Sequence, residues 1–274
     1  MLSMKKGHLY IVGLGLSPSM VSMLAIETLR SCDHVFYEEY TSIPSEGSIK
    51  DIEILTGKGF EKLSRRDLED LSAIEIFTRL DKGEKICLAS WGDPLTATTH
   101  IYIASEAVRR GHGYTYIPGI SIATTALGFS GLMIYRLGRV MTMVRPRSSE
   151  EAGEIYGKIR RTLDQGMHVL LLLEMDVEKG YYMKIHEACE ILLKISKDLG
   201  DKDLEGRKAL GLAGLGSRSQ KICYASIKDL SKIVIEKLPQ SILILGQPYF
   251  TEQEYIESMV KRYGSCWSLL SSET

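Results

Sequence analysis

The sequence shows no surplus of either charge. Its 34 Lys and Arg stand against 35 Asp and Glu, a formal net charge of −1 over 274 residues. That balance excludes the dense basic face of a protein held to nucleic acid through its phosphates. Long apolar runs are also missing. The strongest, residues 169–173 and 242–245, are strand-sized, far short of the roughly 18 residues of a membrane span. Cysteine is scarce: Cys32, Cys87, Cys189, Cys223 and Cys266 are odd in number, widely spaced and never in C-x-x-C. Most sit among apolar residues, so they are expected to be reduced core thiols of a cytoplasmic protein. The six histidines show no metal-ligand spacing with one another or with cysteine, so no metal is expected. Nor is there a G-x-S-x-G elbow, a G-x-x-x-x-G-K-[ST] phosphate loop or an H-E-x-x-H helix, which sets aside three large enzyme classes. Lys5 and Lys6 before an apolar stretch look faintly like a leader. Gly13 and Gly15 break that stretch, however, and a helical pattern follows at once, so it reads as a first strand.

What is there is an alternation of strand and helix. Strands are expected at residues 8–14, 34–37, 85–90, 114–117, 139–144, 168–173, 208–213, 221–225 and 241–245. Helices are expected after Ser17-Pro18-Ser19, from a Ser64/Asp67 capping box through Leu80, and at 99–110, 151–163, 179–199 and 252–263. Such alternation predicts βαβ units and a mostly parallel sheet, an α/β fold. The polar stretch Arg145-Pro146-Arg147-Ser148-Ser149 reads as a linker. It gives an N-terminal α/β domain over 1–145, a C-terminal one over 150–264, and a Ser-rich tail over 265–274 expected to fray. Two halves of similar size suggest a ligand in the cleft between them.

Three motifs can carry chemistry. Gly13-x-Gly15 lies between a strand and a helix, where N–H groups can receive phosphate, but Pro18 stands where a dinucleotide fingerprint needs its third glycine. Gly92-Asp93-Pro94-Leu95 follows a strand end, the place where open α/β sheets put ligand residues. Glycine permits close approach and Asp accepts hydrogen bonds, and on chemistry alone a ligand site and a capped turn stand about even. Behind it, His100 has no orienting partner in the sequence and reads as a local hydrogen bonder. Glu38 and Glu39 are adjacent in a strand, so at most one of them faces a site. No residue is assigned as the catalytic acid or base.

Together, Gly13-Leu14-Gly15-Leu16, Glu38-x-Tyr40-Thr41-Ser42 and Gly92-Asp93-Pro94-Leu95-x-Ala97-Thr98-Thr99-His100 resemble the tetrapyrrole-methylase superfamily of S-adenosylmethionine-dependent methyltransferases. Gly131-Leu132-x-x-Tyr135, the strand of residues 168–173 and Ser241-Ile242-Leu243-Ile244 add to the likeness, which runs to about Tyr263. The branch it resembles acts on translation elongation factor two, methylating the amino group of a carboxy-aminopropyl chain on a modified histidine. The resemblance implies two αβα domains of tetrapyrrole-methylase type with S-adenosylmethionine in the interdomain cleft, and a homodimer; the charge, histidine and hydropathy readings above add no nucleic acid, no metal and no membrane. The resemblance carries cofactor contacts onto Leu16, Asp93, Thr96, Ser121, Ile122, Leu173, Leu215 and Ser241. A sulfonium methyl is already a strong electrophile. Placing a neutral amine in line with it can supply up to roughly 7–11 kcal/mol, and an α-amino group of pKa about 8 is partly neutral near pH 7. Two alternatives stand beside this reading. One is a precorrin-type methylase, although those usually carry Pro-Gly-Asp where Leu16-Ser17-Pro18 stands here. The other is a nucleotide-binding module without catalysis.

Overall fold

A computed structural model describes residues 6–270. It divides the chain between Ile122 and Ala123 into two units, each with its own sheet. The first contains β1 His8–Gly13, α1 Met23–Ser31, β2 His34–Glu38, α2 Ile49–Thr56, β3 Glu61–Leu63, α3 Ile74–Leu80, β4 Lys85–Ser90, α4 Ile101–Arg109 and β5 Gly113–Ile117. Its sheet runs β3-β2-β4-β1-β5 with every pairing parallel. Strand alternation sorts the core. Leu9, Ile11, Ile86 and Leu88 face Ile76, Phe77 and Leu80 of α3 and Ile103 and Ala107 of α4. Val12, Leu14, Cys87 and Ala89 face Ala25 and Leu29 of α1 and Ile52 of α2. Both faces are covered, as a parallel sheet requires.

Helix α5, Ile122–Ser130, starts at the division. The second unit continues with β6 Leu137–Met143, α6 Ser149–Asp164, β7 His168–Leu173, the hairpin β8 Met175–Asp176 and β9 Tyr181–Tyr182, α7 Ile185–Asp198, α8 Asp203–Gly206, β10 Lys208–Ala213, β11 Lys221–Ser226, α9 Ile227–Leu230, β12 Gln240–Ile244, α10 Phe250–Tyr263 and β13 Cys266–Trp267. Its sheet order is β13-β11-β10-β12-β7-β6. Val169 and Leu171 of β7 with Ile242 and Ile244 of β12 pack on Ile155, Ile159 and Leu163 of α6 and Ala188, Cys189 and Leu192 of α7. No helix among the described residues is long and apolar enough to cross a membrane.

Several expectations are corrected. The division falls at Ile122, not in the 145–149 stretch, because β6 pairs in parallel with β7 and so belongs to the second sheet. That sheet is not mostly parallel: every other pairing in it is antiparallel, and only β10 and β11 are consecutive strands joined by a short connection. The Ser64/Asp67 capping box forms, but the helix it opens does not run through to Leu80. Ser72 and Ala73 take left-handed backbone angles, and α3 starts afresh at Ile74. Ser22, rather than Ser17 or Ser19, caps α1. The helix expected from 179 begins at Ile185, after the β8–β9 hairpin. The tail expected to fray carries β13, which pairs with β11; residues 271–274 of that tail, like residues 1–5 of the stretch that leads into the expected first strand, lie outside the described residues. Four of the five expected free thiols are paired, as Cys32–Cys87 and Cys223–Cys266. Cys223 stands directly opposite Cys266 in the β11–β13 register, an adjacency that spacing along the chain cannot reveal. Cys189 alone stays a thiol, its pKa pushed up to about 12 by burial and then by Glu190.

Candidate functional site

In the first unit the parallel sheet delivers the ends of β1, β4 and β5 to one edge, where loops converge. Here they interlock through backbone. Gly15 and Gly92 form a two-way bridge, with Gly15 N donating to Gly92 O at 3.1 Å and Gly92 N to Gly15 O at 2.7 Å. Gly119, just past β5, fits against Gly92 and Gly13: a Cβ there would lie 2.0 Å from Gly92 O and 2.8 Å from Gly13 Cα. Only glycine permits that approach. Gly92 itself has φ +76° and faces open space, so its side-chain position is clear while its conformation demands glycine. This junction brings Leu16, Asp93 and Thr96 together, and Ser121 and Ile122 follow Gly119 by two and three residues. Leu16 is held in place by its carbonyl, which accepts from Ser45 N at 2.8 Å and Ser45 Oγ at 2.9 Å.

Asp93 is buried, and its carboxylate is occupied from within. Oδ1 accepts from Leu95 N and Thr96 Oγ1, each at 3.0 Å; Oδ2 accepts from the Tyr116 hydroxyl and from Gly119 N at 3.1 Å. The side chain is thus a capped turn that also reaches across to β5. Tyr116 is the partner that sequence reasoning missed. It lies 23 positions from Asp93, and only the β1–β5 and β1–β4 registers bring the two strand ends together. Burial, then the bond to Asp93, pushes its phenol well above the ordinary tyrosine range.

Glu38 and Glu39 do point apart. Glu38 is fully buried and accepts from Tyr40 N at 3.1 Å, from Thr41 N at 3.0 Å and from the Thr41 hydroxyl, which makes it the cap of its own turn. Glu39 pairs with Lys62 at the surface. Burial first, and Glu38 second, raises the Tyr40 phenol far above its usual range. His100 is local, as expected: its buried ring places Nδ1 3.0 Å from Pro94 O, which also accepts from the Thr98 hydroxyl.

The other three expected contacts gather at one edge of the second sheet. Leu173 ends β7, Ser241 pairs with Leu172 and with Leu212, and Leu215 lies two residues past β10. All three are buried. The turn after β10 is fixed from within: Gly214 N donates to Pro239 O at 2.8 Å, Ser217 Oγ to Gly214 O at 2.7 Å, and Gly216 N to Gln220 Oε1 at 3.0 Å. Among the described residues there is no group of His, Cys, Asp and Glu arranged to hold a metal ion.

A strand-end junction of glycines and hydroxyls, with its carboxylates already engaged, suits a reaction in which binding and alignment do the work. Comparison with known proteins names the class: the family model Tetrapyrrole (Corrin/Porphyrin) Methylases matches residues 8–231, and the chain belongs to that family. Within it the similar proteins are diphthine synthases. That of Pyrobaculum neutrophilum is 38% identical over 191 residues, covering 69% of this chain and 73% of the relative. That of Staphylothermus marinus is 33% identical over 243 residues, covering 88% and 89%. A crystal structure of diphthine synthase superposes with a TM-score of 0.81 at 31% identity, covering 92% of this chain and 95% of the other. The chain is an S-adenosylmethionine-dependent methyltransferase with the tetrapyrrole-methylase fold.

Proposed function

We propose that this enzyme carries out the diphthine synthase reaction: successive transfer of methyl groups from S-adenosylmethionine to the amino group of the carboxy-aminopropyl chain on a modified histidine of translation elongation factor two. The observation that carries the reading is the 33% identity to a diphthine synthase over nearly the whole of both chains. The residues present fit the cofactor. A turn opened by Gly92 at positive φ leaves its backbone free of side-chain cover, and Leu16 supplies an apolar neighbour. We assign the cofactor contacts to Leu16, Asp93, Thr96, Ser121 and Ile122 in the first unit and to Leu173, Leu215 and Ser241 in the second. When bound, the cofactor would supply the electrophilic methyl, and the part of the chain is to align the amine with it. With Glu38 fully engaged in its own turn, solvent receives the protons released by methylation.

The resemblance supports a homodimer, and the cysteine and histidine pattern of the sequence a metal-free protein of the cytoplasm. The two disulfides weigh against that compartment, where thiols are usually kept reduced. The test is the intact mass of elongation factor two bearing the carboxy-aminopropyl histidine, before and after incubation with the enzyme and S-adenosylmethionine. Whole methyl increments are expected, three for the trimethylammonium product and four if an ester is added. No increment, with the cofactor shown to bind, overturns the reading and directs the search to tetrapyrrole acceptors.

A further inference from the structure

We propose that Tyr116 is a positioning residue of this methyltransferase: its hydroxyl, by holding the Asp93 carboxylate, sets the turn of residues 92–96 in the shape that meets the cofactor through backbone rather than through the carboxylate. The inference rests on the function proposed above and deepens it at the same site. A carboxylate offers about four acceptor positions. Asp93 has four donors on it: Leu95 N, Thr96 Oγ1, the Tyr116 hydroxyl and Gly119 N. A ligand that used this side chain would first have to displace one of those bonds, each strengthened by the carboxylate charge.

The backbone of the turn is placed differently. Gly92 borders open space, and among the described residues nothing accepts from the Asp93 N–H. The turn also needs outside support, because Ala97, immediately after it, is held at φ 59°, a left-handed angle disfavoured for any residue with a Cβ. Two of the four donors are local to the turn and cannot fix it relative to the sheet. The other two come from β5 and the residues just after it, on the far side of β1 from β4, and so lock the turn to the strand ends. One is a main-chain N–H that substitution cannot remove. The other is the Tyr116 hydroxyl. Taking it away leaves Gly119 N as the one remaining donor that ties the carboxylate to the strand ends, so the turn can adopt other shapes that the cofactor must then select against.

The test compares S-adenosylmethionine binding by calorimetry, and initial rates against cofactor concentration, for the wild type, Tyr116→Phe and Tyr114→Phe. Tyr114 is on the same strand and makes no hydrogen bond to Asp93, so it controls for loss of a phenol. For Tyr116→Phe we expect affinity about tenfold weaker and a matching rise in KM, the loss appropriate to one hydrogen bond on a charged group. The kcat at saturating cofactor should stay within about twofold of wild type, with the thermal midpoint retained. Tyr114→Phe should match wild type. In the Asp93→Asn background the Tyr116→Phe change should add little, because it acts through Asp93. Unchanged affinity in Tyr116→Phe overturns the proposal. So does a fall in kcat with KM unmoved, or a variant that fails to fold, which would make Tyr116 a stability residue only. A wild type that binds no S-adenosylmethionine overturns the functional reading itself, and that failure shows before any variant is compared.

Discussion

The two units use two devices in different proportion, close backbone packing and buried polar anchors, and Asp93 and Glu38 anchor turns of the first unit as well. In the first, every strand is parallel, so the ends of β1, β4 and β5 arrive at one edge and their glycines lie directly on one another. In the second, antiparallel strands send their ends to both edges, and buried polar side chains tie down the connections. Glu252, fully buried, accepts from Met133 N at 2.7 Å and Tyr249 N at 2.6 Å, which joins the segment before β6 to the start of α10. Gln240 does similar work, accepting from Ile185 N at 2.7 Å and donating to Ile235 O at 2.6 Å and Lys237 O at 2.9 Å. Backbone packing makes a site whose shape depends on missing side chains. Polar anchors make one whose shape depends on single groups being present.

The sharpest way to break that contrast is Glu252→Ala. It strands two backbone N–H donors and removes the partner of His168, whose Nε2 lies 3.6 Å from Glu252 Oε2. We expect a loss of about 4 kcal/mol in urea denaturation, with amide exchange accelerated first around Met133 and Tyr249. Stability kept to within 1 kcal/mol would show that the second unit does not depend on its anchors.

Gly119→Ala probes the other side of the comparison and comes next in size. Its Cβ would meet Gly92 O, a backbone atom that cannot swing aside. The expected cost is roughly 2–3 kcal/mol, together with a loss of cofactor affinity larger than stability alone explains, read by calorimetry at a temperature where the variant is folded. Full affinity would mean that the glycine junction does not shape the site.

The smallest effect is a pH slope. Burial lowers the His168 pKa below its usual 6.5, opposed by Glu252 and reinforced by Arg136. Nδ1 accepts from Gly246 N at 3.0 Å, which a protonated ring could not do. The unfolded chain therefore takes up this proton first as the pH falls below about 6.5, and stability declines through that window. Urea midpoints at pH 7.5 and 5.5 should differ less in His168→Asn than in wild type.

The contrast also explains what could be read from the sequence. β1, β4, β7, β10 and β12 are legible because their apolar runs are buried on both faces, and Gly92-Asp93 is legible as a strand-end turn. β3 is not, because its three residues are Glu61, Lys62 and Leu63 and only the last is buried. Nor is the helix break at Ser72–Ala73, since neither residue signals a left-handed angle. The missing half of the Asp93 story has the same cause. Tyr116 and Gly119 reach it only through strand register, and no local pattern records which tyrosine of Gly113–Ile117 stands at the right height. The boundary between the units is not legible either, because a polar, Pro-containing stretch reads as a linker even when the strand before it is already committed to the second sheet.

The two-residue strand β13 is small, yet it covers the outer edge of β11 and is pinned there by Cys266. A chain cut before Ser265 would leave the Lys221–Ser226 strand, Lys-Ile-Cys-Tyr-Ala-Ser, with a row of open N–H and C=O groups and a bare thiol beside them. That is a template for another molecule's strand and a handle for intermolecular cross-linking. Shortening the protein at what looks like a dispensable Ser-rich end would convert a soluble-looking truncation into an aggregation-prone one, so tags and truncations belong beyond Trp267.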